Sequence, residues 1–210
     1  MADNEAEDSG GVPRSPRGPL SYIAVIGAGP LGRSFAFLCA RKGFRVVLED
    51  VLPSNQRRAQ AALEQLLAEE TLAGSLAFAT SVEDAVREAD IVIDFVPDEL
   101  ESKLEILSLV DRMAPPKTMI CTPSEALSIT DIASCTYRAE GCTAVRVGDG
   151  AANLAEAASI RILRSPMTSQ ETISLVTAMF AALGKQTRVE DDPEAPVFMH
   201  NAHFAKAQSR

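Results

Sequence analysis

Residues 22–32 read YIAVIGAGPLG, and the fold class turns on this stretch. The apolar run 23–26 suits a short buried strand. It leads directly into Gly27-Ala28-Gly29-Pro30-Leu31-Gly32, a G-x-G-x-x-G series between a predicted strand and a predicted helix. Each glycine answers a different constraint. Gly27 permits the tight turn, Gly29 lets a pyrophosphate approach the backbone, and Gly32 lets the helix pack closely on the strand. The first N–H groups of that helix lack intrahelical acceptors, and its dipole favours an anion beside them. Pro30 fits the first turn because it removes a donor that would be free anyway.

The sequence on either side supports a dinucleotide unit. A helix is expected over 34–42, apolar at Phe35, Leu38 and Cys39 and stopped by Gly43. A second strand at 45–48 runs into Glu49-Asp50. An acid about twenty residues beyond the first glycine is placed to accept from the adenosine ribose hydroxyls. Asp50 is the first choice for that contact and Glu49 the alternative, since a register shift of one residue exchanges them. A carboxylate there repels the extra phosphate of NADP, so the expected cofactor is NAD.

Strands and helices alternate along the rest of the chain. A helix is expected over 55–70, with Ala59, Ala62, Leu63, Leu66 and Leu67 on one face. A strand follows at 76–79. Ser81-Val82-Glu83-Asp84 resembles a capping box opening a short helix to residue 88. The run 91–96 (IVIDFV) suits a parallel strand covered on both faces. Pro97-Asp98-Glu99-Leu100 ends it and starts a helix to about residue 113, broken by Pro115-Pro116, then come a strand at 118–122 and a helical turn at 128–134. Further strands are expected at 142–147 and, as an alternating edge, at 159–163. Thr168-Ser169-Gln170-Glu171 reads as a capping box for a helix ending at Gly184, before a last strand at 185–189. This order implies a Rossmann-type, doubly wound, mainly parallel sheet with helices on both faces. The expected organisation is a disordered tail over 1–19, the dinucleotide-binding domain over 20–190 and a second tail over 191–210.

Composition narrows the function classes. Of the 210 residues, 46% are hydrophobic, enough for a core. The net charge of −9 argues against a nucleic-acid binder, which needs clustered positive charge. No apolar run is long enough to span a membrane, and the acidic start lacks a signal core, so a cytoplasmic protein is expected. Cys39, Cys121, Cys135 and Cys142 form no C-x-x-C pair and are expected to be reduced. The two histidines, His200 and His203, fall within the last eleven residues, which excludes a histidine base in the body of the domain. They complete no metal set. Phe198 and Met199 either cover an apolar patch or pair two copies as a homodimer.

Four segments together resemble the NAD-binding domain of the 3-hydroxyacyl-CoA dehydrogenases. They are GAGPLG with Asp50, ADIVIDFVPDELESK (89–103), LSITDIA (127–133), and RSPMTSQET (164–172) followed by LGK (183–185). The resemblance implies hydride transfer between NAD and C3 of an acyl-CoA. It also implies that Val96, Pro97, Asp98 and Lys103 sit beside the cofactor, the last two near its nicotinamide half. From the residues alone, Asp98 is a helix N-terminal acid and Lys103 a solvated lysine. The family's base is a histidine in H-F-F-N-P, oriented by a later glutamate. With the TSQET segment fixed, those positions fall on Asp149 and Arg161, and the aromatic pair becomes Gly150 and Ala151. The family's S-N-T-S segment reads Thr122-Pro123-Ser124-Glu125, and its D-x-P-G-F reads Asp191-Asp192-Pro193-Glu194-Ala195. Only one helix fits where the family has a hairpin that helps hold CoA.

An aspartate facing an arginine is an ion pair with a depressed carboxyl pKa, a poor base. Asp149 and Arg161 are therefore expected to make a structural contact, or none, in place of a catalytic dyad. Three functions remain. The chain is an NAD(H)-binding protein without the family's chemistry. It is otherwise an oxidoreductase acting on a hydroxy substrate, with Ser124, Glu125, Asp149 or Lys103 moving the proton. The third is one subunit of a split enzyme, which the altered dyad argues against.

Overall fold

The computed structural model describes residues 20–197. The expectations for the tail 1–19 and for Phe198, Met199, His200 and His203 lie outside the described residues.

Eight strands form one sheet in the order β3-β2-β1-β4-β5-β6-β7-β8. They are β1 (Tyr22–Ile26), β2 (Arg45–Glu49), β3 (Ser75–Ala79), β4 (Ile91–Asp94), β5 (Met119–Pro123), β6 (Cys142–Val147), β7 (Ser159–Arg164) and β8 (Gln186–Asp191). The helices are α1 (Pro30–Arg41), α2 (Pro53–Glu69), α3 (Val82–Val86), α4 (Leu100–Met113), α5 (Ile129–Ser134) and α6 (Gln170–Ala182). All strand pairs are parallel except β6 with β7. The order reverses at β1, with β2 and β3 to one side and β4 to β6 to the other.

Alternation along the strands divides the core in two. Ile23 and Val25 of β1 join Phe35 and Cys39 of α1 and Val176 and Phe180 of α6. Ala24 and Ile26 face the other way, toward Ala85 of α3, Leu107 and Val110 of α4 and Ile132 of α5. Phe35 anchors the first layer, 5.5 Å from the Phe95 ring and 6.2 Å from Phe180. Each such fully buried side chain contributes about 1.5–3 kcal/mol. Sheet faces covered on both sides are what a near-continuous apolar strand requires.

Some elements differ from their expectation for identifiable reasons. β7 is interior, because β8 pairs alongside it in parallel and takes the edge. β4 stops at Asp94, and residues 95–97 leave the sheet to line the clefts described below. Ser169, not Thr168, caps α6 by accepting from the Thr172 N–H at 3.1 Å. The Thr168 hydroxyl is instead spent on the Cys142 carbonyl at 2.8 Å. Only Ala59 of the α2 stripe is fully buried, and Leu67 is half exposed.

Arg138 fixes α4, which walls the site. It is buried and its Nε donates to Asp111 Oδ1 at 2.8 Å. Its Nη atoms donate to the carbonyls of Val110, Asp111 and Pro115. The Asp111 carbonyl is an orphan acceptor at the helix C-terminus, where a cation also suits the dipole. Arg138→Met strands a buried carboxylate and should lower unfolding free energy by about 3–5 kcal/mol. Arg87→Ala, which breaks only the exposed pairs with Glu83 and Asp84, should cost less than about 1 kcal/mol. Urea denaturation of the two variants checks the contrast.

Candidate functional site

The C-terminal ends of β1 and β4 flank the point where strand order reverses, and open sheets bind ligands there. The glycine turn sits at that point. Gly27 has φ +102°, and its N–H donates to the Glu49 carbonyl at 2.7 Å, tying the turn to β2. A methyl group on Gly32 would lie 1.9 Å from the Gly27 carbonyl oxygen. Gly29 has nothing within 4 Å of the corresponding position, so its face of the backbone is open. Pro30 begins α1, as expected of a residue without an N–H.

Two clefts meet at this turn. One, about 680 Å3, is lined by Gly27, Gly29, Glu49, Asp50, Val96 and Pro97 and walled by α4. The other, about 530 Å3, is lined by Leu31, Asp94, Asp98, Lys103, Ser124 and Glu125, with Val145, Val147 and Leu154 as its apolar side. Phe95, Val96 and Pro97 border both.

Asp50 does more than end β2. Its Oδ2 accepts from the Ala28 N–H at 2.7 Å and from Asn55 Nδ2 at 2.9 Å, and its Oδ1 accepts from the Leu52 N–H at 2.7 Å. A carboxylate has about four lone-pair positions, so one remains for a ligand hydroxyl. Glu49 is buried in the same cleft. Burial, and then the Asp50 charge, pushes its carboxyl up to about 7.

Lys103 is not solvated. It and Asp94 are each 1% exposed, and Nζ lies 2.6 Å from Asp94 Oδ1. Nζ also donates to the Pro123 carbonyl at 2.9 Å. An ammonium has three N–H groups, which leaves one. Asp94 Oδ2 has no partner among the described residues although it is buried, and such atoms are costly unless something satisfies them. Sequence reading passed over Asp94. Its signal was a single carboxylate inside an apolar strand, which needs a cation. Asp98 is exposed at the head of α4, and its Oδ2 accepts from the Glu125 N–H at 2.9 Å, linking the two sides of the cleft. The Ser124 hydroxyl accepts from the Leu127 N–H at 3.0 Å.

Asp149 and Arg161 make no contact with each other among the described hydrogen bonds and ion pairs. Asp149 accepts from the N–H groups of Ala151, Ala158 and Ser159. Those bonds, Ala158's foremost, lower its carboxyl pKa, so the cause is backbone donors and not an arginine. Arg161 pairs with Glu190 of β8 at 2.6 Å. Neither residue lines the two clefts. Among the described residues no group of three His, Cys, Asp or Glu is placed to hold a metal ion, and no helix is long and apolar enough to cross a membrane.

Residues 22–192 match the model of the 3-hydroxyacyl-CoA dehydrogenase NAD binding domain. A probable 3-hydroxybutyryl-CoA dehydrogenase of Bacillus subtilis is 28% identical over 194 residues, covering 87% of this chain and 66% of the relative. The human mitochondrial hydroxyacyl-coenzyme A dehydrogenase is 26% identical over 183 residues, covering 79% and 57%. The crystal structure of a 3-hydroxyacyl-CoA dehydrogenase from Archaeoglobus fulgidus aligns with TM-score 0.70 and 28% identity, covering 90% of this chain and 62% of that one. The chain thus spans roughly three fifths to two thirds of the length of these relatives.

The Glu49 shift carries a pH dependence. The folded value of about 7 lies above the ordinary 4.5, so the folded state binds the proton more tightly. That contribution to stability is complete below about pH 4.5 and is lost as pH rises through about 7. Glu49→Gln removes it. Relative to that variant the native protein should lose about 1–3 kcal/mol between those pH values and nothing further above them. Denaturation midpoints across the range check the sign.

Proposed function

We propose, from the premise that the chain belongs to the 3-hydroxyacyl-CoA dehydrogenase NAD-binding domain family, that it binds NAD across the two clefts and does not carry the family's His–Glu chemistry. NAD is the cofactor of the matched domain. The carrying observation is the pair of clefts that share Phe95, Val96 and Pro97 as a border, with the open Gly29 in the first of them at the start of α1. The geometry suits a molecule of two nucleoside halves linked by a pyrophosphate.

In this reading the adenosine half takes the cleft beside β2. The last Asp50 lone pair accepts from its ribose, with Glu49 as the neighbouring second acid. The diphosphate lies over Gly29 against the N–H groups of Leu31 and Gly32. Val96 and Pro97 form the ridge between the halves, and the nicotinamide half takes the cleft beside β5. There the free N–H of Lys103 and the free Asp94 Oδ2 complement the C=O and NH2 of a primary carboxamide. Asp98 stands at the rim. NAD, when bound, supplies a hydride acceptor.

A second reading is an active NAD-dependent oxidoreductase working on a hydroxy substrate, an acyl-CoA or a smaller one, with a different base. The Lys103–Asp94 pair beside Ser124 favours it. Lys103 would then hold the proton on the substrate oxygen while the carbon exchanges hydride. Asp149 has no part in either reading, since its oxygens are engaged with backbone donors away from the clefts.

Turnover assays with short and long 3-hydroxyacyl-CoA substrates plus NAD separate the readings. The first predicts no turnover above background, with NAD bound more tightly than NADP by at least about tenfold. Turnover lost in Lys103→Met but kept in Asp149→Asn establishes the second. Robust turnover lost in Asp149→Asn contradicts both.

A further inference from the structure

Arg146 is a buried cation at the end of β6, on the opposite side of the strand from the cleft-lining Val145 and Val147. Its Nε donates to the Ser124 carbonyl at 2.8 Å. The Ser124 N–H donates to the Val145 carbonyl at 3.3 Å, and there the β5–β6 ladder ends. The guanidinium thus supplies a donor one step past the last ladder bond and pins the Ser124 peptide from its other side. Both Arg146 Nη atoms contact Glu194 Oε1 at 3.2 Å. Glu194 stands where the resembled family's D-x-P-G-F has its glycine.

Glu194 is itself held. It belongs to a segment that leaves β8 and folds onto α5. Asp192 Oδ2 accepts from the Ser128 hydroxyl at 2.7 Å and the Thr130 N–H at 2.8 Å. The Glu194 N–H donates to Asp192 Oδ1 at 3.1 Å, and the Val197 N–H to Asp131 Oδ2 at 2.8 Å. Downstream of Ser124 the line continues, because the Glu125 N–H donates to Asp98 Oδ2 across the cleft mouth.

We propose that Glu194 and Arg146 are positioning residues: the segment following β8 holds Ser124 through Arg146, and so sets the spacing between the Ser124–Glu125 and Asp98 walls of the cleft beside β5. This rests on reading that cleft as the nicotinamide side. A planar fork carries the link, since the Nε arm meets the Ser124 carbonyl while both Nη atoms meet Glu194 Oε1, and the single nitrogen of a lysine would stand at only one of those positions. Whatever moves the chain beyond β8 therefore acts on the nicotinamide half of the site and leaves the adenosine half alone.

Glu194→Gln, Arg146→Lys and Arg146→Met test it with two readouts. The first is amide exchange over residues 124–127 without ligand, against the amides of β1 as reference. The second is the ratio of NAD to ADP-ribose affinity by calorimetry, since ADP-ribose lacks the nicotinamide. Each variant should speed exchange over 124–127 and weaken NAD by about threefold to tenfold, with ADP-ribose within about twofold of native. Arg146→Lys is decisive, because it keeps the charge facing Glu194 and loses the second arm on Ser124. Native behaviour in that variant, equal loss of both ligands, or unchanged exchange overturns the proposal. If the native chain binds neither ligand, the NAD reading fails, and the exchange data alone decide whether the link exists.

Discussion

A methyl group on Gly32 would lie 1.9 Å from the Gly27 carbonyl oxygen, and much of the site depends on that missing atom. The contact seats the first turn of α1 against the end of β1. It brings unpaired helix N–H groups to the point where strand order reverses. It also places Ala28 where its N–H reaches Asp50 at 2.7 Å, so β2 and the turn are stapled together. Gly29, between them, carries nothing within 4 Å. Rigid backbone on both sides of an open position suits an anion that must lie close to the main chain.

The parts legible in the sequence were those governed by local rules. Residues 22–32 gave strand, turn and helix, because glycine spacing and apolar runs are short-range signals. Asp50 could be placed beside the turn because its distance from Gly27 is set by one strand–helix–strand unit. Its second task, bonding the turn, was not, since that depends on how Ala28 is presented in three dimensions. From the residues alone Lys103 read as a solvated lysine near a helix N-terminus, yet it reaches the carboxylate of Asp94 and is 1% exposed. β7 read as an edge because its side chains alternate, but whether a strand is covered depends on β8, which follows an intervening helix.

Long-range charge pairing was the part sequence reading could not supply. Asp149 and Arg161, expected to make a structural contact or none, make none, but the partners each has instead were not foreseen: backbone amides for Asp149, Glu190 for Arg161. Arg146 and Glu194 are 48 residues apart and meet because the chain folds back onto α5 after β8. Buried or half-buried ions cost desolvation energy and persist only when well bonded. Lys103 with Asp94 joins two elements that border the clefts, while Arg138 with Asp111 and Arg146 with Glu194 each tie one such element, α4 or β6, to chain outside them. The glycine turn and Asp50 lie within the matched NAD-binding domain, while Asp149 and Arg161, the positions to which the resemblance carries the family's base and its orienting acid, are held in structural bonds.

The claim that this geometry holds a dinucleotide is tested most directly by titrating the isotopically labelled protein with NAD and following backbone amide resonances. The account predicts saturable shifts centred on the non-proline residues of 27–32 and 94–98 and the neighbouring ends of β2 and β5. No shifts, or shifts centred elsewhere on the sheet, would contradict it.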